Sequence, residues 1–120
     1  MKFVAFALAS LAAAPPSIAQ PSAEAALSLD QRTALRCAAT FALTAQAQAR
    51  GEASAVALPP LAERGREYFV RFSARLMDDT GMAREQVAAL LAREAQALVQ
   101  SGGTANALPP CLTLLDLSGI

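Results

Sequence analysis

Reactive side chains are few in this chain of 120 residues and narrow in kind: two cysteines, ten carboxylates, one lysine, nine arginines and a single tyrosine, with no histidine and no tryptophan. Without imidazole there is no Ser-His-Asp or Cys-His catalysis and no histidine-based zinc or haem site. Cys37 and Cys111 allow one intramolecular pairing. They lack the Cys-x-x-Cys spacing of a redox motif, and two distant cysteines without histidine make a poor metal site. The spacing therefore points to a structural disulfide closing a loop of about 75 residues. By chain entropy this stabilises the fold by ~4 kcal/mol, a large share of the ~5 to 15 kcal/mol of a small domain. Free or redox-active thiols, and last a metal pair, are the other readings.

Arg64, Arg71 and Arg75 recur at separations of seven and four, which on a helix sets them within a ~40° arc with Tyr68 at its margin. Guanidinium groups pair bidentately with carboxylate or phosphate, so this stripe reads as a contact for an anionic ligand or for the acidic patch of a partner. Glu67, four residues before Arg71, and Asp78 on the same side support the plainer reading of a self-neutralised, solvated face. Glu94 is the candidate pH-responsive group, because it falls in the arc of Val87, Leu90 and Leu98. Paired with an arginine, it would add stability that is lost in acid. Buried alone, it would be destabilising when charged.

Glu63, Glu67, Asp78 and Asp79 are the carboxylates a hydrolase could use, but about 100 residues in a helical bundle leave little room for a cleft. Asp78-Asp79-Thr80-Gly81 lacks the alternating spacing of a calcium loop and reads as a turn between helices. No glycine-rich phosphate loop and no Cys-x-x-Cys-His haem attachment is present. The sequence thus predicts no catalytic residue, no cofactor and no metal site.

The elements that must position these groups begin after an export signal. Lys2, an apolar run from Phe3 to Ala14, and small residues at Ser17 and Ala19 predict a signal peptide over 1–19, cleaved before Gln20. Pro15 and Pro16 interrupt the run well short of the ~20 residues that a membrane span needs. Cleavage removes the only lysine, and no second apolar run of membrane length follows, so the exported chain is expected to be soluble, without stable membrane insertion. Of the 54% apolar residues, thirty are alanines, so the core should be thin. Zero formal net charge and a pI near 6.2 exclude a nucleic-acid binder, since phosphate recognition needs an excess of Lys and Arg.

Helical periods run through the rest. Residues 20–27, rich in Pro, Ser, Ala and Glu, predict a mobile leader, and 28–120 a single helical domain. A first helix starts at Ser28 with the Ser28/Gln31 capping-box spacing, carries Ala34, Leu35, Ala38, Phe41, Ala42 and Ala45 on one side, and stops at Gly51. After a linker over 52–58, Pro59 and Pro60 lead into a second helix ending at Gly81, whose apolar stripe of Leu61, Gly65, Tyr68, Phe69, Phe72 and Leu76 marks it as the central one. A third helix, about Ala83 to Ser101, carries Val87, Leu90, Leu91, Ala95 and Leu98. A short fourth, about Pro110 to Leu117, brings Cys111 to Cys37. Ala107-Leu108-Pro109-Pro110 repeats Ala57-Leu58-Pro59-Pro60, but the likeness stops after four residues and reads as two uses of Pro-Pro as a helix starter. The expected fold is all-α: a small four-helix bundle, three main helices plus a short C-terminal one, stapled by one disulfide.

The export signal, the Cys37 to Cys111 spacing and the Ala/Arg-rich helical body resemble the small exported helical proteins of high-GC proteobacteria. In size, helicity and single disulfide the chain is also similar to periplasmic acid-stress chaperones, although it lacks their lysine-rich character. The expectation is a periplasmic or secreted protein that binds another envelope protein through an apolar or arginine-lined surface. A stress chaperone, an immunity-type inhibitor, an apolar-ligand carrier and a carboxylate hydrolase are the alternatives.

Overall fold

The computed structural model describes residues 13–16 and 26–120; the expected cleavage site, the rest of the expected signal peptide and the leader up to residue 25 lie outside the described residues. The described chain is all-helical: α1 (Leu29–Ala49), α2 (Ala53–Val56), α3 (Ala62–Thr80), α4 (Arg84–Ser101) and α5 (Thr104–Leu117). The capping box at the start of α1 is present. Gln31 N–H donates to the Ser28 hydroxyl at 3.1 Å, and Ser28 N–H donates to the Gln31 side chain at 2.9 Å. Gln86 reaches back in the same way to Ala83 N–H at 2.8 Å and starts α4.

The central element is α1, not the Pro59 to Gly81 helix. Cys37, Ala38, Ala39, Thr40 and Phe41 are all buried, and five consecutive positions span more than a full helical turn, so α1 is covered on every side there. Small side chains make this possible, because Ala38 and Ala39 let neighbouring helices approach closely. The two buried threonines hide no unpaired hydroxyl: Thr40 donates to the Arg36 carbonyl and Thr44 to the Thr40 carbonyl, each at 2.8 Å. Helix α3, by contrast, keeps one face wet. Gly65, Phe72 and Leu76 point inward, while Glu63, Arg66, Glu67, Val70 and Arg71 face water.

Three apolar clusters surround α1. Near the α3–α4 turn, Leu35 and Ala38 pack with Phe72, Leu76, Val87 and Leu90, and Leu27, assigned by the sequence to the leader, joins them. Between α3 and α5, Phe41 and Cys37 pack with Leu61, Leu108, Cys111 and Leu115. Between α4 and α5, Ala39 packs with Leu98 and Ala107.

Two connections differ from expectation. The last helix starts at Thr104 and not at Pro110, so Pro109 and Pro110 stand inside α5. A proline lacks the N–H that would bond the carbonyl four residues earlier. Here those carbonyls belong to Ala105 and Asn106, which are exposed, so water can take the lost bonds. The linker after α1 also contains a helical turn of its own, α2. The Asp78 to Gly81 stretch is the expected turn: Gly81 has φ +73° and donates to the Met77 carbonyl at 2.9 Å, while the Thr80 hydroxyl accepts from Met82 N–H at 3.2 Å.

Gly65 fixes the approach of α3 to α1, since a Cβ there would lie 3.0 Å from the Phe41 Cβ. Phe41 is fully buried and held edge-on by Tyr68, with ring centroids 5.2 Å apart, so it cannot yield. Gly65→Ala gains helix propensity of ~1 kcal/mol but overpacks by ~1 to 3 kcal/mol. The expected outcome is a net loss of stability in denaturant unfolding, and a stabilised variant would refute this packing.

Candidate functional site

Cysteine chemistry is spent on structure. Cys37 and Cys111 form a disulfide across a sequence separation of 74, with Cα atoms 5.2 Å apart, and both are buried. The bridge joins the middle of α1 to the middle of α5.

The arginine stripe is divided by its partners. Arg64 reaches across to α5, donating Nη2 to Asp116 at 2.8 Å and Nε to the main-chain oxygen of Ile120 at 3.0 Å. Arg71 gives Nε and Nη2 to one oxygen of Glu67, at 3.1 and 2.7 Å. Arg75 makes no hydrogen bond or ion pair among the described residues. Tyr68 is half-buried against Phe41, and burial raises its hydroxyl above the ordinary value of 10.0. The stripe therefore mixes an interhelical clamp, a self-neutralised pair and one free guanidinium.

Glu94 is paired. Arg36 Nη1 lies 3.3 Å from its Oε1, and the carboxylate side chain is 14% exposed while the arginine is 50% exposed. Such a half-exposed pair contributes no more than ~1 kcal/mol. Glu63 and Glu67 share a furrow of about 390 Å³ with Arg66, Val70 and Arg71, but every one of these residues stands on α3. One helix supplies no opposing wall, so these carboxylates do not face each other across a cleft. Among the described residues no group of three or more Cys, Asp or Glu is arranged to hold a metal ion.

One roomy apolar feature was not singled out by residue type. A groove of about 480 Å³ runs between α1, α2 and α5, lined by Leu43, Ala47, Leu58, Leu108, Pro109 and Leu112. Its polar margin is Thr44, Ser54, Thr104 and Glu52, and Glu52 is held by Arg50 at 2.9 Å. The wall beyond α1 is pinned by one side chain, Gln48. Its amide nitrogen lies within hydrogen-bonding distance of the carbonyls of Ala55 (3.2 Å), Leu58 (3.4 Å) and Pro59 (2.9 Å), and its oxygen accepts from Leu61 N–H at 3.0 Å. The helical period over 43–47 and the apolar Leu58 were visible beforehand, but the folding back of 52–61 onto Gln48 has no local signal. Leu114 and Leu117 of α5, 38% and 79% exposed, stand on the far side of that helix from Leu108 and Leu112 and are not part of the groove.

The chain matches no protein-family model, no curated protein and no solved structure.

Two measurements check this geometry. Gln48→Ala should cost about 1 to 2 kcal/mol in denaturant unfolding and speed amide exchange over 52–61. Gln48→Glu, which can accept but not donate at neutral pH, should be no better; unchanged exchange in both would refute the clamp. For Tyr68 the fold favours the neutral phenol, so its stabilising contribution is whole below pH 10 and is lost as pH rises through the raised folded pKa. As the only tyrosine in a chain without tryptophan, it can be titrated alone by tyrosinate absorbance. The native midpoint should lie above that of the unfolded chain, and Tyr68→Phe should remove this alkaline loss.

Proposed function

We propose that this protein is an exported helical binding protein of the periplasm that seats an apolar segment of another envelope protein in the α1–α2–α5 groove. The groove itself carries the reading, because it is an open hollow of about 480 Å³ whose walls carry Leu43, Leu58, Leu108 and Leu112. Contiguous exposed apolar surface is costly for a monomer and marks interaction sites.

Charge decides the kind of occupant. The only charged residue lining the groove is Glu52, and it is already neutralised by Arg50. An anionic amphiphile such as a fatty acid finds no free cation there, whereas an uncharged peptide segment needs none. The groove is open along its length, which suits a segment of chain better than an enclosed small molecule. Export is supported by the signal pattern of residues 1–19 and by the disulfide, a bond that persists in oxidising compartments. No helix among the described residues is long and apolar enough to cross a membrane.

The test uses an N-acetylated, C-amidated helical peptide of leucine and glutamine as probe, added to the disulfide-bonded protein and followed by NMR. Shifts should concentrate on Leu43, Leu58 and Leu112, and Leu112→Glu should weaken binding by at least about tenfold, because it sets a charge against an apolar surface. Shifts elsewhere would overturn the reading. So would laurate binding the same residues as tightly as the peptide, which would indicate a carrier.

A further inference from the structure

We infer that the hollow between the middle of α3 and the end of α5 is a second binding site, which takes a carboxylate carried on a compact apolar body. It encloses about 280 Å³ and is lined by Tyr68, Arg71, Phe72, Arg75, Ser118 and Ile120. It does not rest on the groove, with which it shares no lining residue.

Three side chains with donors left over by the fold, Tyr68, Arg71 and Arg75, converge on this hollow. Arg64 is engaged by Asp116 and Ile120. Arg71 donates Nε and one Nη2 hydrogen to Glu67, which leaves its Nη1 and the second Nη2 hydrogen. Arg75 keeps its whole fork, and the Tyr68 hydroxyl makes no hydrogen bond among the described residues. Ser118 adds no donor, because its hydroxyl already donates to the Leu115 carbonyl. A planar guanidinium binds a carboxylate through two parallel N–H bonds, and a phenol beside it supplies a third donor. Phe72 and Ile120 give the apolar wall against which a hydrocarbon body can rest.

Local charge favours one negative charge over two. Glu67 stays beside Arg71, and on the other side of Arg75 the neighbouring hollow is lined by Asp30 and Asp79. A phosphate, carrying nearly two charges, would meet these carboxylates at greater cost than a monocarboxylate. The volume is below that of sites for drug-sized molecules, which fits a body of about leucine size. Two sources share this chemistry: the last residue of a peptide, and a free short-chain acid.

The probes are N-acetyl-leucine, its amide N-acetyl-leucinamide, and hexanoate, titrated into the full disulfide-bonded protein while the Tyr68 ring and Arg75 Nε resonances are followed. N-acetyl-leucine should shift both resonances saturably, and the amide should not. Arg75→Gln should weaken binding at least about tenfold, the loss of one charge-assisted contact. Arg75→Lys should restore part of it, and Arg93→Gln, far from the hollow in sequence and not among its lining residues, should leave it unchanged. Arg75 is exposed, so these variants should unfold at the wild-type temperature. Binding of hexanoate as tight as that of N-acetyl-leucine assigns the site to free acids, and weaker binding assigns it to peptide ends. Equal binding of acid and amide, or undiminished binding by Arg75→Gln, would overturn the inference.

Discussion

Between Cys37 and Phe41 the first long helix has no side turned to water, and every other element is placed by what that burial requires. A helix can be enclosed in this way only if its neighbours come close, and close approach demands small side chains on at least one partner. Ala38, Ala39 and Cys37 supply them on α1, and Gly65 supplies the matching gap on α3. Where a large group does stand at the centre, Phe41, the neighbouring helix gives way to it and Tyr68 closes over its edge. The alanine-rich composition, which makes the core thin by volume, is thus what lets three helices share one axis.

The same arrangement explains where surface is left over. Helices α3 and α4 meet near their turn, through Phe72, Leu76, Val87 and Leu90. Farther along, the start of α3 leans toward α5 through Leu61, and the end of α4 packs with Ala107 through Leu98. The last two turns of α1 are consequently less covered than its middle. The groove opens there, walled by a loop that one glutamine holds in place. The ion pairs serve at the edges: Arg64 ties the end of α5 to α3, and Arg36 ties α1 to α4. Arg75, which has no such task among the described residues, faces the hollow beside Tyr68.

Much of this was legible in the residues. Period, capping residues and glycines located α1, α3 and α4 closely, because these signals act within a few residues of one another. The place of Glu94 among apolar neighbours left two readings open, pairing with an arginine or burial alone, and nothing nearby in sequence named Arg36, 58 residues away. What the sequence could not show was the hierarchy of helices. A wide aromatic stripe made the Pro59 to Gly81 helix look central, whereas burial on all sides leaves no stripe at all and is written instead as a run of small residues. Prolines misled in the same local way. Pro109 and Pro110 look like a helix start, yet α5 continues through them because packing of Ala107, Leu108 and Cys111 outweighs two missing hydrogen bonds at a wet surface. Gln48 gave no sign, since its four partners lie between seven and thirteen residues ahead.

The position of the disulfide has a topological consequence. Among the described residues, all the connections between helices, after α1, at Gly81 and at Gly102, lie between Cys37 and Cys111, inside one covalent ring. A single peptide cleavage at any of these exposed turns opens the ring but releases no fragment, because both pieces remain joined through sulfur at the buried centre. The first cut therefore leaves a two-chain molecule of unchanged mass apart from one added water, with its helices still tethered to their places.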